Sequence, residues 1–233
     1  MKGILYLVPV TLGNDDYQYV LPGKVLDIIR GLRFFIVEDL RSARRFLRLI
    51  DRHFPIDEST FLELSEHAND PEYLHFLDPA ENGNNIGLLS EAGLPCIADP
   101  GSLIVMMAHR KGIKVTPLSG PSSIIMALIS SGLNGQSFSF NGYLPVKPAE
   151  LSLKIKEIEK KAAHGFSQIF METPYRAHRL FEMIISLCND NTLLSVAENI
   201  TLSDEKIRTM SISEWKKNRP SLNDRLVVFV LQR

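Results

Sequence analysis

A chain of 233 residues, 45% hydrophobic and 23% charged, has the composition of an ordinary folded enzyme-sized protein, which excludes disorder and collagen-like or repeat architectures. Its formal net charge of −1 lacks the global basic excess that drives sequence-independent nucleic-acid binding and argues against a pure RNA-binding module, while leaving room for a local basic patch. Two cysteines, Cys96 and Cys188, are too few and too far apart for a disulfide framework and fit a reducing, cytoplasmic setting.

In chain order, the opening run Ile4-Leu5-Tyr6-Leu7-Val8 ends at Pro9 with no small-residue cleavage site after it, so it reads as a buried first strand rather than a signal segment. No apolar stretch approaches the roughly 18 to 20 residues of a membrane-spanning helix, and no membrane association is expected. Further short runs rich in Val, Ile, Leu and Phe predict strands at 34–37, 86–89, 115–118, 138–140, 167–171, 193–197 and 226–231. Helical periodicity predicts helices at 21–30, 43–50, 103–110, 122–130, 152–163 and 177–187. This alternation predicts an α/β protein with two α/β domains, the first sheet mainly parallel and the second mixed. Residues 131–136, where Ser-Gly-Leu-Asn-Gly interrupts the regular alternation, mark the boundary: an N-terminal domain 1–133 and a C-terminal domain 134–233. The Lys/Glu-rich stretch 154–161 reads as a solvated helix face.

Four Gly/Pro loops follow predicted strand ends, where open parallel sheets bind their ligands. The first contains Pro9 and Gly13. The second, Ser90-Glu91-Ala92-Gly93-Leu94-Pro95-Cys96-Ile97-Ala98-Asp99-Pro100-Gly101, combines carboxylates suited to an ammonium group or a ribose diol with glycines that admit close backbone approach. Asp99 in it can equally be read as a helix cap. The third, Ser119-Gly120-Pro121-Ser122-Ser123, either caps a helix or turns helix N-terminal amides toward an anionic group. The fourth is Met171-Glu172-Thr173-Pro174-Tyr175-Arg176. There is no G-x-x-x-x-G-K-[ST] loop, no G-x-G-x-x-G fingerprint and no G-x-S-x-G elbow, which removes nucleotide hydrolysis, dinucleotide redox chemistry and serine hydrolysis. The six histidines show no ligand spacing, so no metal is expected.

Taken in order, these loops resemble the tetrapyrrole methylase group, and within it the small-subunit ribosomal RNA 2′-O-methyltransferase I branch. The P-I-G-N-L pattern is similar to Pro9-Val10-Thr11-Leu12-Gly13-Asn14 with one extra residue. E-D-T-R is matched by Glu38-Asp39-Leu40-Arg41, and S-D-A-G-T-P-L-I-S-D-P-G by the residues 90–101. P-G-P-S-A resembles Ser119-Gly120-Pro121-Ser122-Ser123, G-F-L-P resembles Gly142-Tyr143-Leu144-Pro145, and E-S-P-x-R resembles Glu172-Thr173-Pro174-Tyr175-Arg176. The resemblance implies a methyltransferase that uses S-adenosylmethionine, bound in a cleft between two domains, and a homodimer. It implies cofactor contacts from Pro9, Gly13, Ser90, Glu91, Ala92, Gly93, Ser122 and Ser123, with Met171 and Ala197 at the adenine.

Methyl transfer from a sulfonium needs mainly alignment. If the acceptor is a ribose hydroxyl, Glu38, Asp39 and His67 are the candidates for taking its proton. Arg41, Arg44 and Arg176 are the candidate substrate-binding residues. Arg41, Arg44, Arg45 and Arg48 form a possible RNA-facing stripe, and an ordinary solvated helix face is the equal alternative for Arg44 and Arg48. The branch pattern R-E-L-T-K is replaced here by Ala197-Glu198-Asn199-Ile200-Thr201, which removes two basic residues. Three readings follow: methylation of ribosomal RNA, with the small ribosomal subunit as partner; methylation of a small molecule such as a tetrapyrrole; and a non-catalytic protein that binds the cofactor.

Overall fold

Buried strands that carry helices on both faces become near-continuous apolar runs, and the segments Ile-Leu-Tyr-Leu-Val, Phe-Phe-Ile-Val and Ile-Gly-Leu-Leu have that character. In the computed structural model, which describes residues 1–64, 73, 75–98 and 101–233, they are β1 (Ile4–Val8), β2 (Phe34–Val37) and β4 (Ile86–Leu89) of a five-stranded sheet. The other elements of this unit are α1 (Tyr17–Val20), α2 (Gly23–Gly31), α3 (Leu40–Ile50), β3 (Thr60–Glu63), α4 (Asp78–Glu81), α5 (Ser102–Arg110) and β5 (Lys114–Pro117). The strand order is β3-β2-β4-β1-β5, and every pairing is parallel.

Because successive side chains of a strand point to opposite faces, each strand feeds two cores. Val8, Phe35, Val37 and Leu89 join Val25, Leu26 and Ile29 of α2 and Phe46, Leu47 and Ile50 of α3. Leu5, Ile36, Ile86 and Leu88 face the other way, with Ile104, Met107 and Ala108 of α5. Right-handed crossovers produce this division: the chain moves one way across the sheet from β1 to β3 and the other way from β3 to β5.

The second unit comprises α6 (Ser123–Ser131), β6 (Phe138–Tyr143), α7 (Pro148–Ala162), β7 (Ser167–Glu172), α8 (Pro174–Leu187), β8 (Leu193–Glu198), β9 (Lys206–Ser211), α9 (Ile212–Lys217) and β10 (Val227–Gln232). Its sheet runs β6-β7-β10-β8-β9. β6 and β7 are parallel, and the other pairs are antiparallel, so the expected mixed sheet is present. Prolines at the first turns of α7 and α8 stand where a missing N–H costs no intrahelical bond. One face packs on α7, α8 and α9, with Phe170 stacked on Phe229 at 5.5 Å and Phe181 edge-on to the buried Trp215 at 5.5 Å. The indole of Trp215 donates to the Leu194 carbonyl at 2.8 Å, which satisfies its polar atom inside the core.

By its contacts the chain divides into Met1–Ser122 and Ser123–Arg233, rather than at 133/134. The difference is α6. Its buried Ile124, Ala127, Leu128 and Ser131 lie against the second sheet, and Thr209 of β9 donates to the Ser131 carbonyl at 2.8 Å. The strands β3 and β9 and the helices α1, α4 and α9 are additions to the elements expected from the sequence, and β6 continues past residue 140 through an irregularity to Tyr143.

Candidate functional site

All five strands of the first sheet end on one edge, because all are parallel. β1 lies between β4 and β5, so the loops that leave these three strands are neighbours. They are joined directly. The Val10 amide donates to the Gly93 carbonyl at 2.9 Å, and the Gly93 amide donates to Thr11 at 3.4 Å. Gly93 has φ +73°, and a Cβ there would stand 3.1 Å from Leu12 Cδ2 and 3.4 Å from the Pro121 carbonyl. A side chain at this position would meet both the left-handed backbone penalty and its neighbours. Gly120 is tighter: an added Cβ would lie 2.1 Å from Pro9 Cβ. The third loop can therefore close on the first only while residue 120 has no side chain.

On this platform, Pro9 and Ser90 are buried, Gly93 is buried, and Gly13, Glu91 and Ala92 are exposed. The Ser90 hydroxyl donates weakly to the Ala92 carbonyl at 3.4 Å, which leaves it able to turn toward a ligand. Ser122 ends the first unit and Ser123 opens α6; both are half-buried. The first unit thus brings together Pro9, Ser90 and Gly93, with Glu91 presenting an exposed carboxylate beside them. Asp99 and His67 lie outside the described residues.

β2 neighbours β4 on the other side, and its end carries Glu38 and Asp39. Asp39 is the N-cap of α3 and accepts from the Ser42 amide at 2.6 Å. Hydrogen bonds from the Ser42 side chain and backbone hold its carboxyl below the usual value of 3.8, and the charges of Arg41 and Arg45 add to the effect. Arg41 is exposed, and Arg44 lies over the Phe61 ring, 5.4 Å from its centroid.

In the second unit, Met171 and Ala197 fall on one cross-strand row. Both pair with Val228 of β10, and the row continues to Tyr143 and Ile207. Directly paired residues point to the same face, so Met171 and Ala197 share the face on which α6 packs. Arg176 is bound within its own unit: its Nη2 is 2.6 Å from the Glu172 carboxylate and donates to the Leu144 carbonyl at 3.3 Å. Its side chain is only 22% exposed. This arginine anchors the loop of residues 142–145 to the start of α8. The segment 197–201 is likewise internally bonded: Asn199 donates to Asp204 at 3.0 Å and accepts from the Leu226 amide at 3.0 Å, and Arg225 pairs with Asp204 and, at 3.9 Å, with Glu198. Asn199 and then Arg225 hold the Asp204 carboxyl below its usual value.

Val10, Thr11, Gly120 and Val228 complete these arrangements; in the sequence the first three stand inside the quoted loops and Val228 inside a predicted strand, none with a site role of its own. Among the described residues no group of His, Cys, Asp and Glu is placed to hold a metal ion, and no helix is long and apolar enough to cross a membrane.

An all-parallel sheet whose glycine loops are stitched together at its carboxyl edge, where open parallel sheets bind their ligands, followed by a mixed-sheet unit, is the architecture of a two-unit α/β protein. Residues 5–216 match the family of Tetrapyrrole (Corrin/Porphyrin) Methylases, and the chain belongs to that family and is a methyltransferase. It is 34% identical over 213 residues to ribosomal RNA small subunit methyltransferase I of Vibrio cholerae serotype O1, covering 91% of this chain and 69% of the relative. The protein of the same name from Escherichia coli O157:H7 is 31% identical over 221 residues, covering 93% and 73%, and that from Haemophilus influenzae is 30% identical over 239 residues, covering 100% and 79%. The fold is similar to the crystal structure of the methyltransferase CobJ, with a TM-score of 0.63 at 15% identity over 99% of this chain and 94% of the other.

Proposed function

We propose that this protein transfers a methyl group from S-adenosylmethionine to ribosomal RNA, at a ribose 2′-hydroxyl. The observation that carries the cofactor assignment is the joined platform of residues 9–13, 90–93 and 119–122. It offers what a zwitterionic nucleoside-like ligand needs: glycine backbone open to close approach, the Ser90 hydroxyl, and the exposed Glu91 carboxylate for an ammonium group or a ribose diol. Pro9, Gly13, Ser90, Glu91, Ala92, Gly93 and Ser122 are assigned to the cofactor on this ground, and Ser123 on the family resemblance. For Met171 and Ala197 at the adenine the support is the family resemblance and their shared row. The cofactor supplies the activated methyl carbon; the residues of the chain bind and orient it.

Of the proton-acceptor candidates, Asp39 is the weaker base, since the Ser42 hydrogen bonds lower its pKa and a low pKa reduces the driving force for accepting a proton. Glu38, beside it and not itself the cap, takes that role; His67 is the remaining candidate. Arg41 and Arg44 are assigned to the RNA. Arg176, with its guanidinium already held by Glu172 and Leu144, acts on substrate through the loop it anchors. The names of the curated relatives support ribosomal RNA of the small subunit as acceptor, and the family resemblance supports a homodimer in the cytoplasm.

Calorimetric titration with S-adenosylmethionine tests the cofactor assignment. Saturable binding by the parent protein and none by Glu91→Arg is the expected result; no binding by the parent overturns it. Transfer of labelled methyl to small-subunit RNA then tests the acceptor. A rival reading, methylation of a small molecule, draws on the absence of basic residues at Ala197 and Thr201, and label that appears in a tetrapyrrole and never in RNA would establish it.

A further inference from the structure

Helix α3 has a charge distribution that its packing does not require. Its sequence, Leu-Arg-Ser-Ala-Arg-Arg-Phe-Leu-Arg-Leu-Ile, contains no acidic residue. At 3.6 residues per turn, Arg41, Arg44, Arg45 and Arg48 fall within an arc of roughly 100°, opposite the buried Ala43, Phe46, Leu47 and Ile50. All four are exposed. None stands in an ion pair among the described residues. Arg48 donates to the Arg52 carbonyl at 2.7 Å, which places a fifth guanidinium-bearing residue just beyond the helix end. The carboxylates bonded beside the run lie at its ends rather than along its face: the caps Asp39 and Asp51 are engaged with local backbone amides, and Glu63 accepts from the Leu40 amide at 3.3 Å, with Glu38 just before the Asp39 cap. In a chain of net charge −1, four like charges on a single face repel one another at a cost, and that cost is relieved by an anionic partner.

The stripe also has a direction. α3 leaves the carboxyl edge of the first sheet immediately after Glu38 and Asp39 and runs back along the sheet. Arg41 is therefore nearest the platform formed by the glycine loops, and Arg48 is farther from it by about 10 Å at 1.5 Å per residue. Arg44 is steadied by the Phe61 ring beneath it, which lowers the entropy lost on engaging a ligand. Arginine presents a planar fork of donors suited to phosphate oxygens.

We infer that Arg41, Arg44, Arg45 and Arg48 form a phosphate-binding track that holds the backbone of single-stranded RNA and leads it toward the carboxyl edge of the first sheet. The inference rests on the RNA-methyltransferase reading for its choice of partner and deepens it. Phosphate contacts position a strand without reading its sequence, so the track sets where the acceptor nucleotide lies, and the base identity must be read elsewhere.

The test is fluorescence anisotropy with a labelled single-stranded oligoribonucleotide of about 20 nucleotides, at salt concentrations from about 50 to 200 mM. The triple variant Arg44→Gln/Arg45→Gln/Arg48→Gln is compared with Arg44→Lys/Arg45→Lys/Arg48→Lys. Each lost contact to a single strand reduces the slope of log K against log salt by about 0.7, or roughly fivefold in affinity at 0.1 M salt. The glutamine variant is expected to bind about 100-fold more weakly with a slope smaller by about 2, and the lysine variant to retain the slope. An unchanged slope in the glutamine variant overturns the inference, as does equal loss in both variants. If the triple variant does not fold, Arg48→Gln alone decides, by a slope change of about 0.7 or none. Anionic phosphatidylserine vesicles form a second arm, and binding to them in preference to RNA also overturns it. Stripe-dependent RNA binding without methyl transfer would instead sink the acceptor assignment and leave the track standing.

Discussion

Replacing Arg176 with methionine is the most informative perturbation of the second unit. The Glu172 carboxylate has a side-chain exposure of 1%, against 22% for Arg176, with 2.6 Å between them. It also accepts from the Thr173 amide at 2.8 Å and the Thr173 hydroxyl at 3.2 Å. Arg176→Met leaves that carboxylate buried with two neutral donors and no counter-charge. Breaking a buried pair from one side costs about 3–5 kcal/mol; the Thr173 donors and the partial exposure of the arginine place this case near the lower end, about 3 kcal/mol. Glu172→Gln should cost less, about 1–2 kcal/mol, because a guanidinium that already touches water can turn toward it. The double variant should cost less than the sum, with a coupling of about 1–2 kcal/mol. The assay is built into the chain: Trp215 is its single tryptophan, is fully buried, and lies in the second unit, so urea unfolding followed by tryptophan fluorescence reports on that unit. A cost below about 1 kcal/mol for Arg176→Met, or a larger cost for Glu172→Gln, would refute the anchoring role.

Gly120→Ala places a Cβ 2.1 Å from Pro9 Cβ, an overlap relieved only by moving backbone; a loss of about 3 kcal/mol or more is expected in thermal melting by circular dichroism, together with loss of S-adenosylmethionine binding by calorimetry. Asp39 has a folded-state pKa below the usual 3.8, so its contribution to stability is complete above that value and is lost as pH falls through the lower folded-state value. The melting temperatures of the parent and Asp39→Ala should accordingly differ at pH 7 and converge as acid protonates the cap; a constant difference would count against it. Burial, with the Glu159 charge adding to it, pushes the Cys188 thiol up to about 12. At pH 8 a thiol-specific reagent should label the half-buried Cys96 in the native protein and reach Cys188 only after denaturation, and prompt labelling of both would contradict this placement.

Most of the first sheet was legible because its central strands are buried on both faces and must be apolar throughout; residues 4–8, 34–37 and 86–89 coincide with the observed β1, β2 and β4. Edge strands carry a weaker signal. β3 reads Thr-Phe-Leu-Glu with exposed ends, and β9 reads Lys-Ile-Arg-Thr-Met-Ser, with charged residues that suit a strand paired on one side only. For α9 the mark was present: Ser211 and Glu214 form a reciprocal capping box, a signature visible as Ser-x-x-Glu, but the helix is too short for periodicity to reveal. At the candidate site, glycines and prolines after apolar runs identify the loops. That the Val10 amide meets Gly93, or that Gly120 rests on Pro9, depends on strand order, which joins residues distant in the chain. The same holds for α6: its apolar periodicity marks a helix, but not which sheet it covers.

The position of α6 has a practical consequence for dissecting the protein. A fragment beginning at residue 134 would contain every strand of the second sheet and still lack the helix that covers one of its faces. It would present Ala197 and Val228, buried in the intact chain, to water along with the rest of that face, and would leave Thr209 without the Ser131 carbonyl. Such an apolar surface invites self-association. A fragment beginning at Ser123 carries its own cover, and recombinant production of the C-terminal half should succeed or fail on those few residues.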